Sequence, residues 1–173
     1  FEDKSIKKIG QNIKFDNLIL KKEGINTNPI EDTMLLSYTL DAGLNRHNLD
    51  TLSEIHLNHK TISYKELVGT GKNKLNFSDI ALDKATEYAA EDADVTLRLY
   101  KYLKARLDEE KLNKIYENFE KPMVKLLSQL EFNGIKVDDA YLKKLSKNFE
   151  YKLKKIEKEI YLIAGKEFNI ASP

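Results

Sequence analysis

The sequence predicts an α/β fold that is mostly helical overall and gives way to an all-helical region. Two observations support this prediction. Up to about residue 107, short strand-like segments alternate with helical segments and loops. Beyond that point the chain is rich in lysine and poor in turn residues, and its apolar residues recur at helical spacing.

The composition indicates a helix-rich protein with a real hydrophobic core. Apolar residues make up 41% and charged residues 33% of the 173 positions, enough for one medium domain or for one domain and part of another. The net charge of +1 provides no overall basic field, so any affinity for nucleic acid has to come from a local cluster. The absence of cysteine excludes disulfides and thiolate metal sites. No apolar run approaches the roughly 18 residues that span a bilayer, and no signal peptide opens the chain, so we expect a cytoplasmic protein.

Both ends of the chain are unusual for a complete protein. The chain begins at Phe1, and it stops at Ala171-Ser172-Pro173 directly after a strand-like run at 167–170. Natural termini are more often polar tails. We therefore expect the sequence to be part of a longer protein.

The first region carries start and stop signals for several short elements. Small polar residues precede its helical stretches, where their side chains can cap the first free N–H groups, and glycine follows one of them. In order, we predict a strand over 6–9, a helix from an N-cap at Asn12 to a stop at Gly24, helices capped by Asp32 and Asn48, a loop-rich stretch over 63–79 and a long helix over 83–107.

Two further helices are predicted in the second region. The first carries apolar residues over 115–130 and contains Pro122, which should break or kink it. Asp138 or Asp139 caps the second. Its apolar residues follow near-heptad spacing up to Gly165, which predicts an amphipathic helix packed on a partner.

The long helix contains a carboxylate in an unexpected position. Asp92 falls on its apolar stripe between Tyr88 and Val95, whereas Glu91 and Asp94 point elsewhere. A lone carboxylate that faces a core costs several kcal/mol unless it is paired or bound to a cation. Asp92 therefore predicts a metal ion or a basic partner, and Tyr88, one turn earlier on the same face, places a hydroxyl within reach of it.

A second candidate carboxylate, Asp16, lies in the first turn of the helix that follows the first strand. The ends of strands are where α/β enzymes collect catalytic groups, although a plain surface position for Asp16 is the alternative. Hydrolysis of a phosphodiester by two metal ions needs several carboxylates from different elements, and a tyrosine one turn from a metal-binding aspartate can orient the attacking water. Asp16, Tyr88 and Asp92 supply part of such a site, without a convincing third or fourth carboxylate.

Seven segments of the chain together resemble bacterial family A DNA polymerases. The segment 10–16 (GQNIKFD) resembles the second 3′–5′ exonuclease motif of that family, and 88–94 (YAAEDAD) resembles the third, of the tyrosine-type DEDD class. Connecting segments of the family are similar to 32–35 (DTML), 46–50 (RHNLD) and 69–73 (GTGKN), and the opening of its polymerase domain is similar to 131–138 (EFNGIKVD) and 164–170 (AGKEFNI). The order of these segments is more specific than any one of them.

The resemblance implies an N-terminally truncated, ribonuclease H-like 3′–5′ exonuclease domain over 1–108 and the first helices of a polymerase domain over 109–173. It implies Mg²⁺ or Mn²⁺ as cofactor, single-stranded 3′ ends and primer-template DNA as partners, no membrane, a monomer, and a cytoplasmic location at the nucleoid. The implied catalytic residues are Asp92 as a direct metal ligand, Asp16 as a ligand largely through water, and Tyr88 as the group that orients the nucleophile. The implied substrate contacts are Gln11, Asn12, Phe15, Arg46, Tyr64 and Tyr88.

The chain also departs from the family pattern. The first exonuclease motif, an Asp-x-Glu on the first strand, is absent from the sequence, and so are the polymerase motifs. We therefore expect the chain alone to hold metal poorly and to be weak or inactive, with polymerisation and proofreading belonging to the parent protein.

Two alternatives remain open. A standalone DEDD exoribonuclease of the ribonuclease D type predicts a different helical module in place of 133–137. A catalytically inactive exonuclease-like domain would only support a polymerase, and the presence of Asp16, Tyr88 and Asp92 argues against that loss.

Overall fold

The computed structural model describes residues 1–71 and 74–170 and divides into two compact units, Phe1–Asn133 and Gly134–Pro173. Lys72 and Asn73, in the segment similar to a family connection, lie outside the described residues, as do Ala171–Pro173. The elements in order are β1 Lys8–Gly10, α1 Ile13–Lys22, β2 Ile30–Asp32, α2 Thr33–Asp41, α3 Leu49–Leu57, α4 Tyr64–Val68, a 3₁₀ turn Phe77–Asp79, α5 Leu82–Glu109, α6 Asn113–Ile115, a π turn Tyr116–Glu120, α7 Lys121–Asn133 and α8 Asp139–Ala164.

The two strands pair in parallel, with Lys8 opposite Ile30 and Gly10 opposite Asp32. The predicted first strand is confirmed with a shift of about two residues, and the mostly helical character is confirmed as well. Strand β2 was not predicted, because three residues are too few to show an alternating pattern. Gly10 ends β1 where a side chain would collide with Ile13, since a Cβ there would lie 2.9 Å from the Ile13 Cγ1.

The start of α1 is capped differently from the prediction. Asn12 does occupy the N-cap position, but its backbone is left-handed (φ 57°) and its side chain makes no capping hydrogen bond. The Asp32 carboxylate caps α1 instead, by accepting the N–H groups of Asn12 and Ile13, both at 3.0 Å. Asparagine tolerates the left-handed conformation better than most residues do, so the sequence located the helix start correctly for a different reason.

The hydrophobic core of the first unit lies between α2, α3 and α5. It contains Leu36, Leu52, Val95, Leu99, Leu103, Leu107 and Tyr116, all of them fully buried. The predicted apolar stripe of the long helix is confirmed from Val95 onward, whereas Ala85 and Tyr88 are only half-buried. Arg106 fixes α5 on α2 through two hydrogen bonds to the Asp41 carboxylate, at 2.9 and 3.2 Å, and this pairing raises the pKa of Arg106.

Pro122 is accommodated by a local change of hydrogen bonding. Immediately before it, the π turn closes with the Lys121 N–H bonded to the Tyr116 carbonyl, five residues back. Pro122, which has no N–H to donate, then stands in the first turn of α7, where proline is tolerated. The predicted disturbance of the helix is therefore a π turn. Downstream, α7 packs on α1, where Ser128 Oγ donates to the Lys14 carbonyl at 3.4 Å.

The second unit consists of α8 and the short segments around it. Asp138, one of the two predicted caps, accepts the Tyr141 N–H at 2.9 Å and caps the helix. Within the described residues, no side chain of α8 is buried, so the predicted packing partner stays a prediction. The strand-like run 167–170 forms no strand, and instead the Phe168 ring contacts Tyr161 edge to face.

None of the helices in the described part of the chain is both long and apolar enough to cross a membrane. The first compact unit runs to Asn133, past the domain boundary expected at residue 108, because α7 packs against α1. A compact unit of the structure need not coincide with a domain defined by sequence, so the boundary at residue 108 stays a prediction.

Candidate active site

Tyr88 and Asp92 lie one turn apart on α5, at the point where the buried stripe of the helix reaches the surface. Both side chains are half-buried, so the expectation that Asp92 faces the core is met only in part, and full burial begins only at Val95. Burial and, after it, the negative charge of Asp92 raise the pKa of Tyr88 to about 12. Burial also raises the pKa of Asp92, whereas a hydrogen bond with Tyr88 lowers it. The two groups therefore interact as a pair.

Another carboxylate, Asp50, acts on this pair from the first turn of α3. Its negative charge raises the pKa of Asp92 and of Tyr88, and one of its oxygens accepts the Thr61 hydroxyl at 2.7 Å. The sequence analysis assigned no role to Asp50. Its position in the segment 46–50, which resembles the family, was the available signal, but the proximity to Asp92 depends on how α3 packs on α5.

Glu91, next to Asp92, attaches the loop before α4 to α5. Its carboxylate bonds the His59 ring at 2.8 Å and accepts the Ile62 N–H at 2.6 Å. This loop leads directly into Tyr64, the first residue of α4. The Glu91 side chain is only 18% exposed because this loop covers it, and its two bonds hold the segment before Tyr64 next to α5.

An aromatic cluster adjoins Tyr88. The Tyr64 and Phe77 rings stack with centroids 6.3 Å apart, and each ring contacts Tyr88, at 6.1 and 6.2 Å. Tyr64 and Phe77 are both about two-fifths exposed, and the Lys74 ammonium lies 5.8 Å from the centre of the Tyr64 ring. The structure therefore brings the predicted residues Tyr64 and Tyr88 together, and it adds Phe77, which the sequence analysis did not identify.

Asp16 lies on another element, in the first turn of α1. Phe15 and Asp16 are exposed, and they border a cavity with Gly10 and Ile13. Surrounding protein partly displaces water from the Asp16 carboxyl, and this desolvation raises its pKa. Neither Asp92 nor Asp50 contributes to that shift.

The Gln11 side-chain amide makes two hydrogen bonds within the protein. Its amide donates to the His47 carbonyl at 2.7 Å and accepts the Thr33 hydroxyl at 2.5 Å. It therefore ties the loop that carries Arg46 to the ends of β1 and β2. Arg46 itself is exposed and makes no ion pair within the described residues.

The candidate site has the type of donor that a divalent cation prefers, but it has too few of them among the described residues. Carboxylate oxygens are the ligands that Mg²⁺ and Mn²⁺ prefer, and a cation would offset the negative charges of Asp50 and Glu91 that act on Asp92. However, among residues 1–71 and 74–170 no three His, Cys, Asp or Glu side chains lie close enough together to hold a metal ion. The described residues thus supply part of a cation site.

Comparisons with known proteins identify the family of the chain. A family model for a 3′–5′ exonuclease of family A DNA polymerases matches residues 1–108. The chain is 48% identical to the DNA polymerase I of Rhizobium leguminosarum, over 99% of this chain and 17% of that protein. It is 42% identical to the DNA polymerase I of Borreliella burgdorferi, over 95% of this chain and 18% of that protein, and 38% identical to that of Pseudomonas aeruginosa, over 99% and 19%. The chain thus spans less than a fifth of the length of these relatives.

Proposed function

The chain belongs to the 3′–5′ exonuclease family of family A DNA polymerases, and from this premise we propose that it provides part of the proofreading site of a longer DNA polymerase. The observation that carries the proposal is the half-buried pair of Tyr88 and Asp92, one helical turn apart and next to the aromatic cluster. An acidic group beside stacked aromatic rings suits a single-stranded 3′ end, because the rings can hold bases while the carboxylate would hold a cation next to the scissile phosphate.

In this proposal Asp16 and Asp92 hold Mg²⁺ or Mn²⁺, and Asp50 adds negative charge nearby. A bound divalent cation supplies activation of the attacking water and neutralisation of charge on the phosphate. Because the described residues include no group of three ligands, we propose that the chain alone binds metal poorly and hydrolyses DNA weakly or not at all. Activity then belongs to the full-length enzyme, with further carboxylates from outside the chain.

The remaining residues position the substrate and a proton. The Tyr88 hydroxyl keeps its proton at neutral pH, as any tyrosine does, and its pKa of about 12 extends this to alkaline pH. It can therefore donate a hydrogen bond from Oη that orients the nucleophile. Tyr64 stacks on a base, and the exposed Arg46 neutralises a backbone phosphate. Asn12 and Phe15 line the path of the terminal nucleotides. Gln11 contributes chiefly by anchoring the Arg46 loop, since its amide is already bonded.

The broader parts of the proposal concern the parent protein. We propose a ribonuclease H-like exonuclease domain over 1–108, joined to the first helices of a polymerase domain over 109–173. The full-length protein acts as a monomer on primer-template DNA in replication and repair, in the cytoplasm at the nucleoid. The helix α8 and its cap at Asp138 suit the start of such a polymerase domain, because the segment 131–138 resembles that region of the family.

Substitution of Asp92 tests the proposal directly. In the full-length enzyme, Asp92→Ala should reduce Mg²⁺-dependent degradation of a single-stranded 3′ end by about two orders of magnitude or more, since a bound metal supplies several kcal/mol to the reaction. Asp94→Ala is the matched control, because Asp94 is exposed, lies two residues away and only pairs with Arg98 at 3.4 Å. Equal exonuclease rates for the two variants would defeat the assignment.

A second candidate function is a catalytically inactive exonuclease-like domain that supports a polymerase. The observation that favours it is the lack of three clustered metal ligands within the described residues. Under that alternative the wild-type enzyme releases no nucleotide from a 3′ end with Mg²⁺ or Mn²⁺, and the Asp92→Ala substitution changes nothing.

A further inference from the structure

A buried polar network links the end of β2 to the helices that follow residue 108. The fully buried Tyr116 hydroxyl donates to a Glu31 carboxylate oxygen at 2.9 Å and accepts the Asp32 N–H at 3.1 Å. Glu31 and Asp32 are themselves buried, at 3% and 2% exposure. Tyr116 lies outside the residues that the exonuclease family model matches. It nevertheless bonds the strand end on which the start of α1 depends.

Asp32 fixes the turn that leads from β1 into α1. One carboxylate oxygen accepts the Asn12 N–H at 3.0 Å and the Met34 N–H at 2.9 Å, and the other accepts the Ile13 N–H at 3.0 Å. A single buried side chain therefore caps two helices. It also holds Asn12 in its left-handed conformation, which is sparsely populated without such support.

We propose that Asp32 is a positioning residue for the exonuclease site and that Tyr116 holds it in place. This inference rests on the proposed function, in which Asp16 binds metal. Asp16 lies three residues after Ile13 in the same first turn, so a change in how Asp32 binds the Asn12 and Ile13 N–H groups moves the Asp16 carboxylate. The helices after residue 108 thus contribute to the geometry of a site that lies in the preceding domain.

Loss of the Tyr116 hydroxyl affects its two partners, Glu31 and Asp32, to different degrees. The Glu31 charge is also paired with Lys121 at 3.0 Å and with Lys7 at 3.5 Å, so loss of the Tyr116 hydroxyl leaves Glu31 with both cations. The Asp32 N–H, in contrast, loses an acceptor in a buried place. A Tyr116→Phe substitution therefore acts mainly on Asp32 while the core ring stays in position.

The first measurement is amide hydrogen exchange in the 173-residue chain without metal. Tyr116→Phe should reduce the protection of the Asn12 and Ile13 amides by about tenfold, beyond any change in the core amides of α5. The matched control is Tyr100→Phe, which removes a hydroxyl that bonds Lys7 at 2.9 Å without touching Asp32, and it should leave both amides unchanged. Asp32→Asn weakens the carboxylate that accepts these two N–H groups. It should therefore reduce the protection of the Asn12 and Ile13 amides, as Tyr116→Phe does.

The second measurement is made on the full-length enzyme at a temperature where every variant is folded. Tyr116→Phe should raise the Mg²⁺ concentration for half-maximal exonuclease rate and lower kcat by about tenfold, with the KM for DNA little changed.

Unchanged exchange at Asn12 and Ile13 in both Tyr116→Phe and Asp32→Asn overturns the inference. So does altered exchange with an unaltered exonuclease rate and metal dependence. A wild-type enzyme without metal-dependent hydrolysis overturns the proposed function instead, and it leaves the exchange result to decide whether Tyr116 holds Asp32.

Discussion

At the scale of single residues, the candidate chemistry depends on the environment shared by Tyr88 and Asp92. Burial disfavours the charged form of each, and Asp50 adds a negative charge that acts on both. A carboxylate in such a place retains its charge more readily when a hydroxyl donates to it or a cation binds it. Tyr88 provides the first, and the proposed metal ion provides the second.

The raised pKa of Tyr88 predicts how its hydroxyl titrates. The folded protein keeps the Tyr88 proton until the pH approaches about 12, whereas an unfolded chain loses it near 10.0. The contribution of Tyr88 to stability is therefore present below about pH 10 and is lost as the pH rises toward 12. In an ultraviolet titration of the folded chain, the spectra of wild type and Tyr88→Phe should show the same amount of tyrosinate at about pH 10.5. A clear excess of tyrosinate in the wild type at that pH, about three-quarters of one tyrosine for an unshifted group, would contradict the assignment.

The sequence predicted residues that lie on one face of the same helix, but it did not predict contacts between distant segments. Tyr88 and Asp92 were identified because both follow the period of one helix. Asp50 was missed because its effect on Asp92 depends on the packing of α3 against α5. The internal role of Gln11 depends on His47, thirty-six residues later in the chain, and no local pattern encodes such a bond.

At the scale of elements, α5 carries the candidate site on one half and the core on the other. From Val95 to Leu107 its inner face is fully buried against α2 and α3, while the part around Tyr88 is half-buried. The buried half fixes the direction of the helix, and the other half presents Asp92 beside the loop that Glu91 holds. Rigid support of this kind is what a positioned carboxylate requires.

Truncation of a buried leucine of α5 tests this division. Leu103→Ala should lower the free energy of unfolding by about 2–5 kcal/mol, because it removes packed atoms from a fully buried position and leaves a cavity. Leu97→Ala on the same helix should change it by no more than about 0.5 kcal/mol, since Leu97 is 42% exposed. Denaturant unfolding measures both values. Equal losses in the two variants would show that the inner face of α5 is not the core.

Long elements were predicted better than short ones. The long helix was expected over 83–107 and spans Leu82–Glu109, because its apolar residues repeat through several turns. Strand β2 and the five-residue helix α4 were not predicted, since each is too short to establish a period. A disturbance of the helix at Pro122 was expected, but its form, a π turn over Tyr116–Glu120, was not.

At the scale of the whole molecule, the first compact unit joins the family-matched region to the helices beyond it. The match ends at residue 108, but the unit continues to Asn133 through the contact of α7 with α1 and the network around Tyr116. The region that the family model matches is thus supported by residues that the model does not include. The second unit, with α8, shows no buried side chain among its described residues.

The most direct test of the central claim is the anomalous diffraction of Mn²⁺ in crystals of the full-length enzyme. The proposed site predicts a manganese peak in contact with the Asp92 carboxylate, with Asp16 close to the same cluster of ions and the Tyr88 hydroxyl facing it. An Asp92 side chain that points into bulk water, without a metal peak and far from Asp16, would contradict the nuclease site proposed for this chain.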